Sequence, residues 1–271
     1  MNMFVLDKEI LMRLSFFVGI FSFMAIWEII SPRRILTTPK GTRWLSNLLI
    51  TFLNSVIVRW VYPVTAVGLA IVSMERHWGA FNIIGVPEWI AGILAILIFD
   101  LTIYTQHVLF HKIPLFWRLH RMHHTDLDID VTTGARFHPF EIIISMGIKM
   151  VVLVMLGAPP WSVLAFEVLL NSTSMFNHSN ILMNLRIDRI LRLLVVTPDM
   201  HRVHHSVIIN ETDSNFGFNL PWWDRLFGTY RAQPASGHEL MIIGLANYRD
   251  LKWLTLPWML IVPFFGSLTN R

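Results

Sequence analysis

Apolar positions along this chain gather into long runs, separated by short polar stretches. The first run, LMRLSFFVGIFSFMAIWEII at 11–30, holds only Arg13 and Glu28 as charges and is followed by SPRR. About 20 apolar residues suffice to cross a bilayer, so the run predicts a membrane helix. It lacks a small-residue cleavage site behind it and is expected to be retained as an anchor. The second run, 45–74, is longer and carries Asn54, Arg59 and Pro63. That pattern predicts a tilted or kinked span, with Arg59 turned to a partner or a polar cavity and not to lipid. The third, PEWIAGILAILIFDLTIYTQHVLFH at 87–111, leads straight into histidines. The fourth, 142–173, is broken by GAPP at 157–160 into arms of about 15 residues, which predicts a short or re-entrant hairpin. WLTLPWMLIVPFF at 253–265 is too short and proline-broken to span, and is expected to lie in the interface.

Charge gives these spans a direction. The first connecting loop holds Arg33, Arg34, Lys40 and Arg43, whereas the next holds only Arg76. The positive-inside rule puts the first loop in the cytoplasm. The third span then returns His107 and His111 to that side, and the hairpin leaves and comes back. The expected fold is an all-α integral membrane bundle with about four membrane-embedded helical elements and a cytoplasmic, histidine-rich helical cap. One domain covers 1–271: anchor helices at 1–94, a histidine-bearing region at 95–231 and a C-terminal interfacial tail at 232–271. The membrane would be the inner or plasma membrane of a bacterium, or the endoplasmic reticulum of a eukaryote.

Composition agrees with a membrane protein. The chain is 54% hydrophobic and 15% charged, with a mean hydropathy of +0.53. Its net charge of +4 sits beside apolar runs, where Lys and Arg mark membrane faces, and this argues against a nucleic-acid partner. The absence of cysteine excludes disulfides, cysteine-ligated iron–sulfur clusters, thiolate haem and a cysteine nucleophile. NST at 171 and NET at 210 match the glycosylation pattern but fall on the expected cytoplasmic side, which discounts them.

The histidines carry the chemistry. HRMHH at 120–124 returns as HRVHH at 201–205, and ten of the 12 histidines lie within 107–205. Random placement would give only roughly two-hundredths of an H-x-x-H-H match per chain, so coincidence fails as an explanation. On a helix, His120, His123 and His124 share one side, yet the adjacent pair diverges by about 100 degrees. Three rings on one ion would strain the helix, whereas a forked motif serves two neighbouring ions. His201, His204 and His205 would close the same pair from the other side. His107 and His111, four apart, share a face with Asp100 and Tyr104. His178 in FNHSN and His138 in RFHPFE complete the candidate ligands, while His77 and His238 are expected to be structural or solvated. Asp100, Tyr104, Asp199 and Asp224, with Asp126, Asp128 and Asp130, are candidates to orient the ligand imidazoles from behind.

Imidazole suits zinc, copper, iron and nickel alike. Structural or hydrolytic zinc leaves little use for nine or ten histidines, whereas two iron ions with positions open for dioxygen would use them all. A zinc-dependent membrane hydrolase would want the H-E-x-x-H glutamate, which these motifs lack. A metal transport or storage protein should spread its histidines along the spans, and here they bunch at or beyond the end of the third.

HVLFH, HRMHH and HRVHH, in that order behind hydrophobic spans, resemble the three histidine boxes of the fatty acid hydroxylase/sterol desaturase superfamily. The flanks DLDIDVTTGARFHPFE, TPDMHRVHHS and NFGFNLPWWDRLFGTY strengthen the resemblance, which covers roughly 95–231. It implies a non-haem di-iron oxidase that uses molecular oxygen to hydroxylate or desaturate a lipid C–H bond, with the box histidines and His178 as iron ligands. Some members carry H-x-x-x-H before the third box. Here a single His178 stands there, leaving His138 or a water for the tenth place. Trp223, Asp224, Arg225 and Gly228 would shape the cap. Electrons would come from an external donor, a ferredoxin or small cytochrome with its reductase, docking on a basic face around Arg118, Arg121, Arg136 and Arg202.

Overall fold

The computed structural model describes residues 3–266, and among them there is no β-strand, only the isolated bridges Pro32–Ile181 and Ser206–Ile243. Ten helices position the site: α1 (Met3–Ile30), α2 (Lys40–Val61), α3 (Ala66–Glu75), α4 (Ala80–Ile84), α5 (Glu88–Lys112), α6 (Pro114–His124), α7 (Pro139–Leu156), α8 (Pro160–Asn177), α9 (Leu185–Leu191) and α10 (Pro198–His204). Four segments are long and apolar enough to cross a membrane: Glu9–Ile30, Lys40–Ile84, Glu88–Lys112 and Pro139–Leu156. The all-α bundle with four such elements is therefore the observed architecture.

Local chemistry sets the breaks. Pro63 cannot donate to a helix and biases Tyr62 away from helical angles, so α2 stops at Val61. Thr65 then caps α3, accepting from the Gly68 amide at 3.0 Å. The second run is thus kinked as its sequence predicts. Arg59 is exposed in the last turn of α2 beside this break, where a cation favours the helix C-terminus, and it lines a small cavity shared with Arg13 and Glu167. Gly157, at φ 70, closes α7, and Pro160 opens α8. Both hairpin arms have 18 residues, longer than expected, because α7 begins at Pro139 and α8 runs on to Asn177.

Helix α5 packs against α6, α7 and α8, while α1 covers α8 and α2 covers α7. Small residues, Ala66, Ala70 and Ala95, let the helices close around Phe99 and Phe166, whose rings meet at 5.2 Å. Leu11, Phe16, Phe23 and Ile26 of α1 stay exposed, an outward face suited to lipid.

The acids of the DLDID run serve the fold. Arg43, fully buried, donates Nε and Nη2 to Asp126 at 2.7 and 3.0 Å and Nη1 to Asp130 at 2.7 Å. Asp128 accepts the amides of Thr37 and Thr38 at 2.9 and 2.8 Å. The loop between α1 and α2 is thereby clasped to the end of the bundle that bears the histidine motifs. Removing one partner of a buried pair of this kind costs about 3–5 kcal/mol. The basic face expected from four arginines does not form. Arg121, Arg136 and Arg202 are buried, and Arg118 Nε donates to the Pro263 carbonyl at 2.7 Å. Arg121 donates to Val262 O at 2.7 Å and Arg136 to Trp253 O at 2.9 Å, so segment 253–265 is held against α6.

Candidate metal centre

Nine of the ten candidate histidines converge in two groups. His107, His111, His120, His124 and His204 form one, and His123, His178, His201 and His205 the other. Within each group the available ring nitrogens lie within 4.8 Å of one another, and all nine residues are buried. The last turn of α5 supplies His107 and His111, α6 ends in His120, His123 and His124, His178 caps α8, and α10 carries His201 and His204 with His205 as its cap. The forked pairs split as helix geometry requires. The ring planes of His123 and His124 meet at 89° and those of His204 and His205 at 82°, and each adjacent pair divides between the groups, as about 100 degrees per residue requires. The groups adjoin where His124 stacks on His205, with centroids 4.6 Å apart.

Hydrogen bonds fix which nitrogen faces inward. Nδ1 of His107, His123, His178 and His204 donates to the carbonyls of Phe216, Arg136, Ser174 and Ser214 at 2.7, 3.0, 2.7 and 2.8 Å. His120 Nδ1 donates to Glu141 Oε1 at 2.7 Å. A carbonyl or carboxylate only accepts, so the single proton of each neutral ring sits on Nδ1 and the Nε2 lone pair points inward. These lone pairs face one another: Nε2 of His107 and His120 are 3.1 Å apart, as are those of His123 and His178. Such pairs repel unless they converge on a cation. Nε2 of His201 likewise lies 3.1 Å from that of His178, while Nε2 of His204, Nδ1 of His201 and both ring nitrogens of His124 and His205 are buried with no hydrogen-bond partner. Each costs about 1–3 kcal/mol if left so, and together they rival the roughly 5–15 kcal/mol by which a domain is stable. The donor set fits a metal site.

Burial is the largest influence on these rings, and neighbouring imidazoles reinforce it. His178 is pushed down to about 4 and His204 to about 3, while His123, His124, His201 and His205 lie well below the usual imidazole range. Near neutrality the rings stay uncharged, the state that binds metal.

The other candidates stand elsewhere. His138 lies outside both groups: Nδ1 accepts the Phe140 amide at 3.2 Å as the N-cap of α7, and Nε2 donates to Leu260 O at 3.1 Å. Asp100 meets no imidazole. It accepts from Asn219 Nδ2 at 2.7 Å and Trp223 Nε1 at 2.8 Å, tying the NFGFNLPWW segment to α5. Tyr104 bonds Thr229 at 2.9 Å and stacks on Phe227, and Asp199 pairs with Arg33 and Arg202. Asp224 acts through the backbone. It accepts the Phe216 and Gly217 amides at 2.8 and 2.9 Å and so steadies the Phe216 carbonyl that holds His107. Burial raises its carboxyl, against the hydrogen bonds from Thr229, Gly217 and Phe216. His238, expected to be structural or solvated, is buried, 3.7 Å from Asp199.

Sequence reasoning passed over Glu141, whose carboxylate accepts from His120 Nδ1, and Asp213, which lies 3.4 Å from His111 Nδ1. The signal for Glu141 was present in RFHPFE, where an acid follows Pro in the first turn of a helix beside the second box. It also passed over Gly134, where a Cβ would lie 2.4 Å from the Ser174 carbonyl that holds His178. A cavity of about 330 Å³ opens on the five-histidine group through His107 and His120, walled by Phe110, Phe137 and Phe218.

Comparison with known proteins agrees with this geometry. Residues 92–229 match the model of the fatty acid hydroxylase family, and the chain belongs to that family. An ornithine lipid hydroxylase of Rhizobium tropici is 31% identical over 167 residues, 61% of this chain and 50% of the relative. Human alkylglycerol monooxygenase is 27% identical over 63% of this chain and 37% of its own length. Cholesterol 25-hydroxylase of Rattus norvegicus is 25% identical over 53% of this chain and 48% of its own length. The chain thus spans half or less of the length of these relatives. No solved structure matches it.

Proposed function

We propose that this protein is an oxygen-dependent lipid hydroxylase or desaturase with a di-iron centre held by the two histidine groups. The observation that carries the reading is nine buried imidazoles sorted into two adjoining groups, one of which opens on a lipid-sized cavity. Three relatives named for lipid oxygenation support the same reaction class. Bound there, iron would supply the activation of dioxygen for attack on a lipid C–H bond.

This chain's own residues do the rest. Phe137 stacks flat on His123 at 4.6 Å, and Phe218 lies 5.2 Å from His107, so a chain seated in the cavity meets apolar rings beside the imidazoles and displaces water. Glu141 holds the His120 proton on Nδ1 and keeps Nε2 aimed inward. The electrons must come from an external donor, a ferredoxin or small cytochrome with its reductase, because the sequence has neither cysteine nor a dinucleotide loop. The histidine end faces the cytoplasm by the charge of the first loop, which is clasped to that end. Mössbauer spectra of anaerobically purified protein, with lipid extracts from cells grown under labelled dioxygen, test the reading. Coupled iron and a lipid newly hydroxylated or desaturated are expected. Zinc alone, or an unchanged lipid profile, overturns it.

A further inference from the structure

The cavity that begins at His107 and His120 does not end in hydrocarbon. Helix α7 lines it with Glu141, Ser145 and Lys149, four residues apart along one face, and α8 adds Glu167, Asn171 and Ser174. At its far end Lys149 and Arg13 both bind Glu167, and Arg13 also meets Glu9 at 2.8 Å. Lys149 and Glu167 are buried within segments that pack inside the bundle. Ionisable groups at that depth are expensive and mark a working site. A second cavity of about 170 Å³ shares Arg13, Val58, Met146 and Glu167 with the first and continues to Arg59 and Tyr62. Arg59 is exposed and makes no ion pair among the described residues. Across the two adjoining cavities, three cations, Lys149, Arg13 and Arg59, stand against two carboxylates, Glu9 and Glu167, so this end carries a net positive charge.

We propose that this ionic end is a headgroup site: it holds the oxyanion, carboxylate or phosphate, of a lipid whose chain runs on toward His107 and His120. The inference rests on the oxidase reading above and narrows its substrate to anionic amphiphiles. Eight residues of α7 separate Glu141 from Lys149, so the carbon brought to the histidines lies about 12 Å from the oxyanion. The volume is at the low end of the roughly 300–1,000 Å³ of ligand pockets and admits one chain, not two.

The test uses the full metal-loaded chain in phosphatidylcholine nanodiscs, with radiolabelled palmitate, hexadecyl phosphate and hexadecanol as probes in equilibrium dialysis. At least one oxyanion-headed probe should bind about tenfold tighter than hexadecanol or better, and the tighter of the two identifies the head as carboxylate or phosphate. Lys149→Met and Arg13→Gln should reduce that preference to about threefold or less with hexadecanol affinity unchanged, while Lys149→Arg keeps it. Arg59→Gln, at an exposed position, carries the same comparison if the buried variants fail to fold. Equal affinity for all three probes, or a full preference in every folded variant, overturns the site. Binding is read without turnover. Lost oxidation with the preference intact defeats the oxidase reading alone, and a lost preference with oxidation intact defeats the headgroup site alone.

Discussion

The two histidine groups are built from the same forked motifs, yet they are not equivalent. The group of His107, His111, His120, His124 and His204 has five rings, a carboxylate behind His120, and the cavity before it. The group of His123, His178, His201 and His205 has four rings, and its inward-facing nitrogens are set by carbonyls, those of Arg136 behind His123 and Ser174 behind His178. None of its members lines the cavity. A carboxylate behind an imidazole makes it a stronger donor than a carbonyl does. The asymmetry teaches that one group is arranged to meet whatever enters the cavity and the other to be locked in place.

The largest effect should come from deleting a ring on each side. His123→Ala and His204→Ala are each expected to abolish turnover and remove at least one metal ion per chain, read by metal analysis of purified protein. Full metal content with full activity in either variant would break the comparison at its root. Next is Glu141→Gln, which keeps the shape but removes the charge behind His120. Loss of a partner of this kind costs about 10–100-fold in metal affinity or activity. The loss should fall on the five-histidine group, and a spectrum perturbed equally at both ions would erase the distinction.

A third measurement concerns acid. His178 and His204 protonate at about 4 and about 3 in the folded protein, against roughly 6.5 when unfolded. Between those values the unfolded chain binds more protons than the folded one, so stability falls as pH drops below about 6.5 and is level above about 7. Chelator-stripped protein should therefore show a thermal midpoint that declines from pH 7 to pH 5. A midpoint independent of pH would show that the rings are not held neutral. The smallest effect should be that of His138→Ala, which loses the cap of α7 at about 1 kcal/mol and leaves metal content unchanged.

Much of this was legible because helices impose fixed angles. The divergence of His123 from His124 follows from 100 degrees per residue, and the kink after Val61 follows from Pro63. What stayed hidden came from across the chain. Asp100 announced itself as an acid at depth, but its partner Asn219 stands 119 residues away. The acceptors at Arg136, Ser174, Ser214 and Phe216 are backbone carbonyls, a group every residue carries, so no side-chain pattern marks them. His138 stands apart because an imidazole before proline can cap a helix as readily as it can bind metal, and here it caps α7. The four arginines looked like a docking face since sequence displays charge and not depth.

Segment 253–265 has a consequence for biosynthesis. Arg118 and Arg121 of α6 and Arg136 of the loop beyond it are gripped by carbonyls that the ribosome delivers more than a hundred residues after the rings they steady. Metal loading should therefore be a late event, waiting on that downstream latch. A nascent chain arrested at residue 250 would already contain every histidine of both groups, and it is expected to retain added iron poorly through a desalting column beside the full chain.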